Sequence, residues 1–380
     1  MEFRDLQKQY DILSEEIDRK IKEVCQTAHY ISGPNVAELE VELADYVGVK
    51  HCITCANGTD AITLALKAWG LGEGDAVFVP DFTFFSSGEC PASEGCTCFF
   101  VDVEKETYNI DPKKLELEIE RVIKESKYTP KAVVAVDLFG QPANYDAIVE
   151  ICKKYNLLLL EDGAQGFGGE LHGRRACSFG DIATTSFFPA KPLGCYGDGG
   201  AIFTNNDEWA DLIRSYAIHG KAGDDKYNNI RLGINSRLDT IQAAILQVKF
   251  AAFKAYEVAD VNRVALMYRD AFEKAKLVGT ISIPIVNDEY VSSWAQYTIQ
   301  LPENVNREYI QSELKKKCIP TMVYYMKPMH KQGAFEGTDS ANANCPVTEK
   351  LCERVLSLPI HPYMDEKQVE EIVSSLAELL

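Results

Sequence analysis

The sequence predicts an α/β protein: a mostly parallel seven-stranded sheet sandwiched by helices, followed by a smaller C-terminal α+β domain. Three observations predict it. Through the first two-thirds of the 380 residues, short apolar or β-branched runs alternate with longer amphipathic stretches, the pattern of parallel strands joined by crossover helices. A long helical pattern then runs from 239 to 269, with Leu246, Val248, Phe250 and Phe253 among its apolar positions. Beyond it the chain has its own short strands and a closing helix, which divides it into a large domain, 1–245, and a small one, 246–380.

In order, the expected strands are 52–55, 76–79, 97–101, 132–136, 157–160, 182–187 and 201–204. The helices between them include 60–69, 112–125 and 145–155. Asp111-Pro112 is a good helix start, because Asp caps the free N–H groups and Pro fits the first helical position. No G-x-G-x-x-G follows the first strand, so a dinucleotide fold lacks its fingerprint. In the C-terminal part, 296–301 and 321–325 read as strands and 366–379 as the last helix.

Hydrophobic residues make up 46% and charged residues 25%, which excludes a disordered chain, a collagen and a small disulfide scaffold. The net charge of −18 excludes a bulk electrostatic grip on nucleic acid or an anionic membrane, while leaving room for a small anionic substrate held by local groups. The first residues carry charges every few positions, unlike a signal peptide, and no apolar run approaches the ~20 residues that span a bilayer. A cytoplasmic protein is expected.

Twelve cysteines raise the question of a metal. In the one C-x-x-C, Cys52 and Cys55 lie on an expected strand, where residues three apart point to opposite faces. Cys90, Cys96 and Cys98 have neither a second C-x-x-C nor a His at finger spacing. Reduced thiols packed as small hydrophobes are the expectation, with no metal site.

Four segments, each past a strand, carry chemistry. In Ala56-Asn57-Gly58-Thr59-Asp60, a side-chain-free Gly58 at a helix N-terminus makes a phosphate cradle or, more simply, an N-capped turn. Glu161-Asp162 places carboxylates where open α/β sheets bind ligands, suited to a protonated ring nitrogen or to a helix cap. Lys191, between Ala190 and Pro192 and ahead of Gly194, Gly197, Gly199 and Gly200, is not a solvated-face lysine; it reads as an amine nucleophile or a buried structural lysine. Asn235-Ser236-Arg237 offers an amide and a guanidinium to an anion, or a capped helix start. Together the four supply a phosphate anchor, an acid for a ring nitrogen and a Schiff-base lysine, the equipment of pyridoxal phosphate chemistry.

Phe3-Arg4-Asp5-Leu6, Tyr30-Ile31-Ser32-Gly33-Pro34, Asn57-Gly58-Thr59-Asp60-Ala61, Pro80-Asp81-Phe82-Thr83-Phe84, Glu161 to Gln165, Ser186 to Lys191 and Gly233 to Gln242 occur in that order over essentially the whole chain. In this the sequence resembles the sugar aminotransferases of the DegT/DnrJ/EryC1/StrS family, which have the type I fold of pyridoxal phosphate enzymes. The resemblance implies that Lys191 binds the cofactor and shuttles the proton, that Asp162 pairs with its ring nitrogen, and that Gln165 lies near its phenolic oxygen. It implies further that Gly58, Thr59 and Ser186 hold the phosphate, that Phe84 and Ala164 cover the ring, and that Asn235 reaches the phosphate in the neighbouring subunit of a homodimer with shared sites. Arg237 and Tyr325 would lie near the substrate; His330 and Lys327 are further candidates to hold its charge.

Gly163 and Ala190 are mild departures from the family pattern, and Lys191 separates the chain from the dehydrase branch, which has His there. Pro189 to Thr204 and Asn235 to Thr240 look most like the branch that aminates C3, which includes enzymes of UDP-2-acetamido-3-keto-hexuronic acids. Tyr324-Tyr325 stands where that branch commonly has His-Tyr. The expected activity is transfer of an amino group from L-glutamate to a keto group of a nucleotide-linked sugar in amino-sugar or surface polysaccharide synthesis. The alternatives are a C4-specific or non-nucleotide sugar aminotransferase, or a non-catalytic regulatory protein on this fold.

Overall fold

The computed structural model describes residues 1–223 and 227–380. The chain forms β1 (His51–Cys55), β2 (Asp75–Pro80), β3 (Thr97–Val101), β4 (Thr129–Val136), β5 (Leu158–Asp162), the short hairpin strands β6 (Glu170–Leu171) and β7 (Arg174–Arg175), β8 (Ile182–Ser186) and β9 (Gly200–Thr204). Seven of these make one sheet in the order β1-β9-β8-β5-β4-β2-β3, with the small hairpin outside it. Only β9 runs against the rest, pairing antiparallel with both β1 and β8. The C-terminal ends of β1, β2, β5 and β8 therefore share one edge, and the chain enters β9 from that edge at Gly200.

The helices around it are α1 (Leu6–Thr27), α2 (Pro34–Val47), α3 (Gly58–Trp69), α4 (Ser86–Ser93), α5 (Pro112–Glu125), α6 (Tyr145–Tyr155), α7 (Asp207–Ala217) and α8 (Thr240–Ala252). Alternation along the buried strands sorts them by face. Ile53, Cys55, Val77 and Val134 pack with α3 and α7, whereas Cys52, Phe78, Val133 and Phe203 pack with α2, α5, α6 and α8. Cys52 and Cys55 thus lie in cores on opposite sides of the sheet, as period two requires. All twelve cysteines are free thiols, and ten are buried.

The long helix expected over 239–269 is present but carries a π-helical segment, Phe253–Glu257, between α8 and α9 (Val258–Lys274). The core changes there: Leu246, Phe250 and Phe253 pack with the sheet domain, and Val261, Val264 and Tyr268 belong to a second core. That second core closes over β11 (Tyr297–Gln300), α10 (Arg307–Lys316), β12 (Val355–Leu358) and α12 (Glu366–Ala377); α11 (Pro346–Arg354) packs on the first. A short β10 (Tyr290–Val291) adds to the β6–β7 hairpin. The strand expected at 321–325 does not form. Met322 makes one antiparallel bridge to Ser357, and the chain then leaves the small sheet because Tyr325 packs against Phe82 of the large domain, ring centroids 5.8 Å apart.

One buried pair beside the sheet edge makes a stability prediction. Asp137, just past β4, accepts from Tyr145 Oη at 2.7 Å and Ala143 N–H at 3.1 Å through Oδ1, while its buried Oδ2 has no donor. Glu161 of β5 accepts from the N–H groups of Cys177, Phe179 and Gly180. Burial pushes both carboxyls up; the charge of Glu161 raises Asp137 further, whereas the three N–H donors and a hydrogen bond from Asp137 pull Glu161 back. Two such neighbours do not both ionise, so the pair retains a proton, on the oxygen of Asp137 that lacks a donor. An acid whose folded pKa is raised gives stability that is full at low pH and lost as pH rises through that pKa. Asp137→Asn keeps the acceptor and supplies a permanent donor. It should raise stability at pH 8 by about 1 kcal/mol, with little change at pH 5. Thermal melts at the two pH values check this; a loss of stability at pH 8 would show that Asp137 does not carry the retained proton.

Candidate active site

The site is built where four strand ends meet. After β1, Asn57 caps α3, its Oδ1 accepting from Asp60 N–H at 2.8 Å. The N–H groups of Gly58 and Thr59 begin the helix and have no acceptor within it, so two donors stand at the positive end of the dipole. A Cβ on Gly58 would lie 2.8 Å from Cβ of Ser186, so glycine is what lets the start of α3 approach the end of β8. Thr59 Oγ1 lies 2.8 Å from Ser86 Oγ at the start of α4. Three hydroxyls and a helix N-terminus thus cluster as an anion cradle.

Asp162 ends β5 and is buried. Ser87 Oγ donates to its Oδ2 at 2.8 Å and Ala164 N–H to its Oδ1 at 3.2 Å. Burial raises its pKa, while these two donors and the charge of Lys191 pull it back. Lys191 follows β8 on a turn closed by its own N–H to Phe188 O, at 2.9 Å. The loop returns so tightly that a Cβ on Gly194 would meet Pro189 O at 2.5 Å and Phe188 O at 2.6 Å, which accounts for that glycine. Burial, only partly opposed by Asp162 and reinforced by Arg4, pushes the Lys191 amine down to about 8. Arg4 also donates to Pro192 O at 3.1 Å, tying the N-terminal segment to this loop.

Gln165 is buried, its Oε1 accepting from Phe139 N–H at 2.8 Å and its Nε2 donating to Tyr325 Oη at 3.0 Å. Tyr325 also meets Phe84, with ring centroids 6.4 Å apart, and Phe84 itself is 55% exposed. Ser236 Oγ accepts from Ala56 N–H at 3.0 Å, which fixes the 233–239 segment beside the loop after β1. Asn235 and Arg237 on either side of it are exposed, and Arg237 has no ion-pair partner among the described residues.

The sequence-predicted residues Gly58, Thr59, Ser186, Asp162, Lys191, Gln165, Phe84 and Tyr325 therefore gather at one sheet edge, with Asn235 and Arg237 at its rim. His330 requires a correction. It is buried, with its ring Nδ1 2.7 Å from Asp81 Oδ2, so its hydrogen bonding is directed to the protein and it is not a free cation for substrate. Lys327, by contrast, is exposed. Sequence reading missed Ser86 and Ser87; the signal was two consecutive hydroxyls opening a helix just after the Pro80 to Phe84 segment.

The donor set fits pyridoxal phosphate: an anion cradle, a buried carboxylate for the ring nitrogen, and a lysine whose amine is uncharged in a useful fraction near neutral pH. Comparison with known proteins agrees. Residues 11–377 match the model of the DegT/DnrJ/EryC1/StrS aminotransferase family. The chain is 44% identical to a UDP-2-acetamido-2-deoxy-3-oxo-D-glucuronate aminotransferase of Pseudomonas aeruginosa over 99% of both chains. It is 40% identical to a protein of Geobacillus stearothermophilus named a pleiotropic regulatory protein, over 98% of this chain and 97% of that one. The crystal structure of a DegT DnrJ EryC1 StrS aminotransferase from Brucella abortus superposes with a TM-score of 0.94 at 43% identity, covering 100% of this chain and 99% of that one. With the lysine, the acid and the cradle all in place and the match running nearly end to end, the chain belongs to the DegT/DnrJ/EryC1/StrS aminotransferase family.

Proposed function

We propose that this protein is a pyridoxal phosphate-dependent aminotransferase that moves an amino group from L-glutamate to a keto group, at C3, of a nucleotide-linked sugar. The observation that carries the reading is Lys191 set close enough to buried Asp162 for each to feel the other's charge, beside the open N-terminus of α3. When bound, pyridoxal phosphate supplies an aldehyde that accepts amino groups and a ring that withdraws electrons from the reacting carbon. Gly58, Thr59, Ser86 and Ser186 would bind its phosphate, and Asp162, held by Ser87 and Ala164, would keep its ring nitrogen protonated. Lys191 is the nucleophile that attaches it and the base that moves the proton. The 44% identity to the Pseudomonas aeruginosa enzyme supports a UDP-linked 3-keto sugar as the acceptor.

A homodimer with shared sites is part of the proposal. Tyr30 and Ile31 are exposed and lie beside Asp239 and Thr240, and Ile230 and Leu232 are exposed just before Asn235. Such an apolar rim around two polar side chains with no partner among the described residues suits a partner subunit, onto whose cofactor phosphate Asn235 would reach and whose substrate Arg237 would meet. No helix among the described residues is long and apolar enough to cross a membrane, and we place the reaction in the cytoplasm, in amino-sugar synthesis for surface polysaccharide.

The regulatory reading is favoured by the name of the Geobacillus relative, but a protein kept only for binding has no need of both Lys191 and Asp162. The test is to add L-glutamate to the loaded protein and follow the visible spectrum, then supply UDP- and dTDP-linked keto-sugars and identify the aminated carbon by NMR. We expect conversion to the pyridoxamine form and a 3-amino product; a spectrum unmoved by glutamate would overturn the glutamate-donor reading.

A further inference from the structure

We propose that the buried Asp81–His330 pair is a clasp that holds Tyr325 and its segment against the loop carrying Phe82 and Phe84, making His330 a positioning residue for the reaction. The inference rests on the function proposed above only for its kinetic consequence. Asp81 begins the loop after β2, fixed by its own N–H to Val101 O at 2.8 Å. Three hydrogen bonds tie it to the incoming segment: Met329 N–H to Asp81 O at 3.0 Å, His330 N–H to Oδ1 at 2.8 Å, and the His330 ring to Oδ2 at 2.7 Å. Met329 packs so closely on α4 that a Cβ at Gly88 would lie 2.7 Å from its Cε. The clasp therefore abuts the helix whose Ser87 holds Asp162.

Five residues upstream, Tyr325 meets Phe82, Phe84 and Gln165. Between the two attachments Met326 and Lys327 are exposed and make no hydrogen bond to the large domain among the described residues; Lys327 O accepts only from Gln332 Nε2, at 3.3 Å, within the same segment. The Asp81 hydrogen bond, opposed by burial, raises the pKa of His330, whose Nε2 faces Glu349 at 3.5 Å with Lys331 beside it. A buried carboxylate left without this partner is unfavourable, so the pair resists opening. Asp81, His330 and Cys345 each place a ligand atom within 4.8 Å of the others, but the acid and the imidazole are already bonded to each other.

The side-chain chemistry gives a discriminating test. Asn at 330 places an amide nitrogen one bond from Cγ, where Nδ1 stands now, whereas Gln places it one carbon farther out. Amide hydrogen exchange of the cofactor-free protein reads the clasp without reference to catalysis. His330→Gln should speed exchange of the amides of residues 329 and 330, both bonded to Asp81, about tenfold with the β4 and β5 amides unchanged, and His330→Asn should restore protection. In the loaded enzyme, kcat/KM for the keto-sugar should fall about tenfold in His330→Gln and return to within about twofold in His330→Asn. Unchanged protection in His330→Gln, or equal losses in both variants, would overturn the clasp. So would one tightly bound zinc per wild-type chain whose removal by a chelator reproduces the His330→Gln exchange pattern. A wild-type protein with protected Met329 and His330 amides and no transaminase activity would overturn the functional reading alone.

Discussion

Lys191→Ala should abolish the visible absorption band of the protein loaded with pyridoxal phosphate and lower transamination by at least about a thousandfold, because one side chain supplies both the nucleophile and the proton carrier. The wild-type protein makes a sharper prediction. With the amine pushed down to about 8 by burial, attachment of added pyridoxal phosphate should accelerate as pH rises from 6 and level off above 8. At pH 7.5 an amine with that pKa is about one-quarter unprotonated, against about one part in a thousand for an ordinary lysine, a gain of about two hundredfold. The measurement is the rate of band formation by the cofactor-free protein at a series of pH values. A rate that keeps climbing tenfold per pH unit beyond 9 would mean the lysine is solvated and unperturbed.

How much of this could be read from the sequence depended on whether a residue's role is local. Lys191, Asp162 and Gly58 announce themselves because each follows a strand, and the edge of an α/β sheet gathers strand ends whatever the detailed packing. The alternation of α5 and α6 with the strands of the sheet was legible for the same reason. His330 was misread because its task depends on Asp81, 249 positions away, and no local pattern encodes that pairing. The missing strand at 321–325 is the same lesson: its β-branched and aromatic residues suit a sheet, but contacts of Tyr325 with Phe82 and Gln165 outweigh that propensity. The π-helical segment at Phe253–Glu257 leaves no trace in apolar spacing, yet it is where Glu257 turns inward to accept from Gln9 at 2.7 Å.

Asp162→Asn separates what holds the cofactor from what activates it. The amide is isosteric and still accepts from Ser87 or Ala164, so the anion cradle and Lys191 remain and loading should persist. What is lost is the negative charge that keeps the ring nitrogen protonated, and with it the stabilisation of charge on the reacting carbon. Removing a preorganised electrostatic group of this kind costs about a hundred- to a thousandfold in kcat. The same substitution carries a signed consequence for Lys191. Asp162 is the neighbour that raises the lysine's pKa against burial and Arg4, so its neutralisation should move the midpoint of cofactor attachment below that of wild type. Ser87→Ala, which removes one donor from the carboxylate and leaves its charge, should lower kcat only about tenfold and shift the midpoint little. Steady-state kinetics and the attachment pH profile on the three proteins decide the matter. If Asp162→Asn keeps kcat within threefold of wild type, the carboxylate serves only as an acceptor that fixes Ser87 and the turn at Ala164, and the ring nitrogen finds its partner elsewhere. If kcat collapses but the midpoint stays where it is in wild type, the acid acts on the cofactor without sensing the lysine, and the two residues at the sheet edge are not electrostatically coupled.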